Sequence, residues 1–241
     1  MEQNFSFNSE KYDYWPIYET INHYYPIGIL PDSPETADPA WQIYHQYKGQ
    51  RAFGELISEN FIDQNVFQEK WASIGADLGK KLNLRAEGTT YGEVPSYSFY
   101  LELSNIEAGN HTVFKRLHVA ISLLGPFFTI WGGDGSMLQL NRKFYQAINV
   151  ITISPFEEYE QIFKEAYQEI KARFPGYRFV RHSLYNMTLP GLECRNHSYP
   201  TGKKGLIYHA LFNYLLTGYE VTRGDRYFGS DYWMKGAHLI Q

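Results

Sequence analysis

The sequence predicts an α+β fold, one domain built on an antiparallel sheet with helices packed against it. Three observations carry that prediction. Between Val113 and Gly133 the chain reads VFKRLHVAISLLGPFFTIWGG, and the same alternation of residue types runs into and out of a Gly-Pro turn. Upstream, Phe67, Trp71, Ile74, Leu78 and Leu82 recur at helical spacing. Downstream, Ser154-Pro155-Phe156-Glu157 matches the capping box that opens a helix.

The alternation is the centre of the fold. With the turn at Gly125-Pro126, Leu124 faces Phe127, Leu123 faces Phe128, Ile121 faces Ile130 and Ala120 faces Trp131. One side then carries Leu117, Val119, Ile121, Leu123, Phe128 and Ile130. The other carries His118, Ala120, Ser122, Leu124, Phe127, Thr129 and Trp131. Period-2 alternation that keeps its parity through a turn predicts a hairpin with one buried face.

Length and composition set the frame. A chain of 241 residues can bury roughly 70–75% of its unfolded surface. One cysteine, Cys194, excludes an internal disulfide framework and fits a reducing compartment. The first residues, MEQNFSFNSEKYDYWP, have neither a basic start nor an apolar core, and no run reaches the length of a membrane span. The expected location is the cytoplasm, with no membrane partner. Acids and bases are interspersed around a net charge of −4, which argues against a nucleic-acid partner.

Taken in order, residues 1–37 are rich in Tyr and Pro. Tyr24 to Leu30 reads as a short edge strand, and the tyrosines read as rings that pack a terminal arm onto the body. Residues 38–84 form an N-terminal helical segment. Asp38-Pro39 opens it, Trp41, Tyr44 and Tyr47 mark a face, and Gly49 weakens or ends the first helix. Phe53, Leu56, Ile57 and Phe61 suggest a second helix, and the Phe67–Leu82 stripe a third. Sheet and helices occupy residues 85–241 of this single domain. Tyr97 to Ser104 alternates as a strand, Asn105 to Thr112 is a polar loop, and the hairpin completes a meander centred on residues 97–132.

Beyond it, Gly132 to Ser136 reads as a turn, Ile148 to Ile153 as a strand and Tyr177 to Arg181 as a further strand. The helix after Ser154 turns Phe156, Tyr159, Ile162, Phe163, Ala166 and Ile170 inward, and Gly205 to Leu216 is another helix. The tail from Thr222 holds too many rings to be disordered.

Chemistry-bearing motifs are sparse. Gly132–Ser136 and Thr201–Gly205 lack the spacing of a phosphate loop. No histidine or cysteine cluster has metal-site spacing, so neither a metal nor a cofactor is expected. Cys194, His197 and His209 are the best candidates for an enzymatic alternative, a hydrolase or transferase without a recognisable motif. The Arg223-Gly224-Asp225 tripeptide and the sequons at Asn4, Asn110, Asn186 and Asn196 have no role in a cytoplasmic chain.

Leu117 to Gly132 (LHVAISLLGPFFTIWG), Ala210 to Leu216 (ALFNYLL) and Thr222 to Trp233 (TRGDRYFGSDYW) resemble bacterial immunity proteins encoded beside secreted toxins. The resemblance implies a non-catalytic cytoplasmic domain that neutralises a toxin by direct binding. Rings among charges in the loops and tail then nominate Asp134, Asp225, Asp231 and Trp233 as partner-binding residues, with the acids steering toward a basic cleft. The competing expectation is that the tail is a packed clasp whose acids pair with Arg223 or Arg226.

Overall fold

Five strands form an unbroken antiparallel meander in the computed structural model, which describes residues 14–28, 46–61, 64–90, 95–192, 194, 205–216 and 218–230. They are β1 (Arg85–Gly88), β2 (Ser96–Ala108), β3 (His111–Ser122), β4 (Phe127–Leu140) and β5 (Lys143–Thr152). Two short strands join in parallel: β6 (Arg178–Phe179) beside the start of β4, and β7 (Val221–Arg223) beside the end of β5. The α+β class predicted from the sequence is the one observed.

The sheet is larger than expected because two predicted breaks do not occur. Asn105 to Ala108 continues β2, and only Gly109-Asn110 turns the chain into β3. Gly132 to Ser136 is not a turn but the middle of β4. Its glycines serve close packing. A Cβ on Gly132 would sit 2.7 Å from the Tyr159 ring, and one on Gly135 would sit 2.6 Å from Phe114 and 2.5 Å from the Ala147 carbonyl oxygen.

The hairpin register also differs. Ile121 pairs with Phe128, Val119 with Ile130 and His118 with Trp131, two residues from the predicted pairing. Type I′, the favoured two-residue turn, needs positive φ at both central residues, which Pro126 cannot adopt, so the connection spans 123–126. A slip of two preserves parity, and the predicted faces therefore stand.

Both faces are buried, not one. The apolar face packs on α4 (Ser73–Leu82) and α5 (Glu160–Arg173) through Trp71, Ile74, Leu78, Phe163, Ala166 and Ile170. The short helix α3 (Gln64–Phe67) and a π-helical turn (Gln68–Ala72) lead into α4. The mixed face is covered by α1 (Trp15–Tyr24), α2 (Lys48–Phe61), α6 (His182–Tyr185) and α7 (Ile207–Leu211). Two of its polar side chains are matched across the layer. Thr129 Oγ1 donates to the Val180 carbonyl at 3.0 Å, and Trp131 Nε1 to Tyr208 Oη at 3.1 Å.

Other differences are local. Tyr24 ends a helix rather than starting a strand, and Ile17 and Ile21, one turn apart, are fully buried from that helix. Gly49 lies inside α2 because that helix crosses α1 there, where a Cβ would be 2.0 Å from the His23 carbonyl oxygen. The predicted helix start at residues 38–44 lies outside the described residues. Ser154 does not cap α5; its Oγ accepts the Asp225 amide at 2.8 Å, and a 3₁₀ turn (Glu157–Tyr159) precedes the helix. Phe156, predicted to point inward, is 37% exposed. The 205–216 helix shortens to α7, and Asn213 Oδ1 takes the Leu215 amide at 3.0 Å.

Gly135→Ala should therefore destabilise the protein by about 1–3 kcal/mol, because neither the ring nor the carbonyl beside it can withdraw freely. Gly54→Ala on the open surface of α2, where a Cβ meets nothing within 4 Å, should stabilise by about 0.5–1 kcal/mol. Chemical denaturation of both variants checks the pair; equal effects would contradict the packing role of the strand glycines.

Candidate functional site

The cover over the apolar face stops at one row of the sheet. Lys115 and Asp134 are register partners there, and α5 and its preceding turn begin immediately above. Tyr159 Oη donates to Asp134 Oδ1 at 2.6 Å. Lys115 Nζ lies 3.1 Å from Asp134 Oδ2 and also binds Glu158. Arg223, arriving on β7, reaches Asp134 at 3.1 Å, Glu157 at 3.0 Å, Glu158 at 3.3 Å and Thr152 at 3.2 Å. The cluster joins β3, β4, β5, β7 and the entrance to α5.

Its electrostatics are those of mutual neutralisation. The hydrogen bond from Lys115 holds the Glu158 carboxyl down to about 2, and the same bond raises Lys115. Burial works against the charge of Arg223, but Asp134 and Glu158 outweigh it, so the guanidinium is held more firmly charged. Tyr159 is pushed well up by burial and by the carboxylate it binds.

Past this row the four central strands continue without cover from the described residues. Ile106, Val113, Ser136 and Ala147 stand in line across the sheet; Ala108, His111, Leu138 and Tyr145 form the next row, and Leu140 and Lys143 the last. These rows lie on the same face as Leu117, Val119 and Ile130 but meet water. Ile106 is 65% exposed, Tyr145 56%, Leu140 46%, Val113 45% and Leu138 36%. Phe144, on the opposite face, is 62% exposed. Arg142 and Lys143 at the tip make no ion pair among the described residues.

The nominated residues separate. Asp134 belongs to the neutralised cluster. Asp225 stands in the turn after β7, where its Oδ1 accepts the Tyr227 amide at 2.8 Å. Asp231 and Trp233 lie outside the described residues. Phe228 packs with Phe163, Tyr167 and Phe179. For the enzymatic alternative, Cys194 is buried in the core, His209 Nε2 lies 3.2 Å from the Leu216 carbonyl oxygen, and His197 is outside the described residues. A cleft of about 720 Å³ opens between β7 and α6. Arg181 on its wall donates to Ser183 at 2.8 Å and Ser230 at 2.9 Å, and His182 sits 2.7 Å from Tyr219 Oη.

Sequence reasoning missed the sheet end because the polar reading of 105–112 and the turn reading of 132–136 removed the strands that form it. The alternation Ile106-Glu107-Ala108 and Leu138-Gln139-Leu140 was the available signal.

His118 is buried on the opposite face, stacked on Trp131 at 4.0 Å, and neither ring nitrogen has a hydrogen-bond partner. Comparison with protein-family models, with curated proteins and with solved structures finds no match.

Burial, reinforced by nearby Arg116, lowers His118 from 6.5 to about 3. The unfolded chain binds the proton that the native state refuses, so the stabilisation is complete above pH 6.5 and is lost as pH falls from 6.5 toward 3. The loss runs at about 1.4 kcal/mol per pH unit. Glu158 adds a loss of the same sign below 4.5. His118→Phe should match the parent near neutrality and flatten the stability profile between pH 6.5 and 4.5. A variant profile parallel to the parent's would show that His118 is not buried neutral.

Proposed function

We propose that the protein is a non-catalytic binding protein that neutralises a cognate bacterial toxin, meeting it with the uncovered end of the sheet. The observation that carries this reading is the patch of exposed apolar side chains at Ile106, Val113, Leu138, Leu140 and Tyr145, spread over three neighbouring rows of one sheet face. Large apolar groups held on hydrogen-bonded strands lose little entropy on contact, and aromatic anchors ringed by polar residues are the usual source of interface energy.

The resemblance to immunity proteins supports the same reading from a different direction. Its first segment, Leu117 to Gly132, builds the inner halves of β3 and β4, and the described part of its last, residues 222–230, forms the end of β7 and the turn after it. These segments supply the scaffold that holds the sheet end in place. The charge at that end favours a partner other than the basic cleft expected from the sequence. Asp134, Glu157 and Glu158 are engaged by Lys115 and Arg223, whereas the tip presents Arg142 and Lys143. A complementary toxin surface would be apolar at its centre and acidic at its rim.

Co-expression with the toxin encoded by the neighbouring gene tests this reading. The parent chain should restore growth, and a Val113→Asp/Tyr145→Asp double variant should lose protection, with affinity weakened by about 2 kcal/mol or more and an unchanged melting temperature. Full protection by a folded double variant would overturn the assignment of the surface.

A further inference from the structure

Among the described residues the outer edge of β5 is open for six residues, and it is built differently from the other edges of the sheet. β1 is four residues long and carries Arg85 paired to Glu87 at 3.0 Å. The free stretch of β2 is bulged at Leu103, between Glu102 and Ser104. Such devices discourage edge pairing. From Lys143 to Ile148, β5 has no proline, no bulge and one charge. β7 takes the same edge only from Asn149 onward, where the Glu220 amide donates to the Asn149 carbonyl at 3.0 Å.

The turn at Asn141-Arg142 fixes which backbone groups point outward. Leu140 and Lys143 close a two-residue hairpin, and such a closing pair exchanges both hydrogen bonds. Lys143, Tyr145 and Ala147 therefore bond to β4, while the amides and carbonyls of Phe144, Gln146 and Ile148 face away from the sheet.

We propose that a second copy of this chain pairs with that edge, β5 to β5, antiparallel about a two-fold axis at Gln146. In this register Gln146 meets Gln146 of the second copy, and Phe144 meets its Ile148, so every outward amide finds a carbonyl. The side chains agree with the backbone. Tyr145 lies opposite the small Ala147 and Phe144 opposite a β-branched residue, so no like charges oppose. The paired stretch of the second copy ends at its Phe144, because Glu220 already holds the place beside Asn149, so its Lys143 comes to the exposed Glu220, and the axis repeats that pair. The two apolar faces come to lie on the same side of one continuous sheet. This arrangement does not depend on the toxin-binding reading.

Sedimentation equilibrium of the full chain, from micromolar to millimolar concentration, tests it. The expected result is reversible association to twice the 28.2 kDa mass of the chain. Gln146→Pro removes one outward amide without touching the β4 ladder. It should weaken self-association about a hundredfold, with circular dichroism and melting unchanged. Gln146→Cys, oxidised in dilute solution, should cross-link into a dimer, whereas Lys143→Cys should not. A chain that stays monomeric throughout the range, or a dimer indifferent to Gln146→Pro and not trapped by Gln146→Cys, overturns the proposal. Either outcome leaves the toxin-protection test unaffected.

Discussion

β4 runs unbroken from Phe127 to Leu140 because three of its residues have no side chain. The Tyr159 ring lies over Gly132, the Trp131 ring crowds Gly133, and the Phe114 ring lies against Gly135. With larger residues there, the rings and the strand could not occupy the same layer. Much of the remaining architecture follows from that accommodation. β5 pairs along the second half of β4, β6 along its first two residues, and β7 on β5 in turn. The glycines cost conformational entropy and give up strand propensity. Aromatic burial on both sides of the strand offsets that cost, since each such ring removes 150–250 Å² from water, by order of magnitude.

The same accommodation explains what the sequence did and did not disclose. Alternation from Leu117 to Trp131 identified the sheet centre and both of its faces, because parity survives a two-residue slip in register. The Phe67–Leu82 stripe identified the helical layer despite the π-helical turn within it, since Trp71, Ile74 and Leu78 keep their spacing. What misled was glycine. A Gly-Gly-Asp-Gly-Ser run is the ordinary signature of a turn, and only the rings brought over it from residues distant in sequence make it a strand. Gly49 misled for the same reason, at a helix crossing. The two-sided burial was equally hidden. A face reading His-Ala-Ser-Leu with Phe-Thr-Trp looks solvated until Val180 and Tyr208 arrive to bind Thr129 and Trp131.

Charge placement shows a comparable dependence on long-range contacts. Asp134 and Arg223 are far apart in sequence, and from sequence each is a surface charge available to a partner. Brought together with Lys115, Glu157 and Glu158, they form a seam that fastens β7 to the sheet and holds Glu157 at a φ of +45° entering the helix. Exposed ion pairs contribute little singly, whereas a network with shared partners holds geometry. The Arg-Gly-Asp tripeptide is thereby absorbed into the fold. Arg223 serves the seam, Gly224 at φ +100° lies against Ser154, and the Asp225 backbone is bound by the Ser154 hydroxyl.

The seam also gives the uncovered end of the sheet its meaning. On its inner side β2, β3 and β4 are buried on both faces; on its outer side the same strands continue in register with apolar residues still alternating toward the same face. A sheet end with no role beyond folding would stop at the cover or turn polar there, since exposed apolar rows promote aggregation without adding stability. Here the alternation persists through Val113, Leu138 and Tyr145, and the strands close in two-residue turns at Gly109-Asn110 and Asn141-Arg142, which hold the end rigid. The apolar residues beyond the seam are therefore surplus to the fold, and a rigid, surplus apolar surface is what association with another molecule requires.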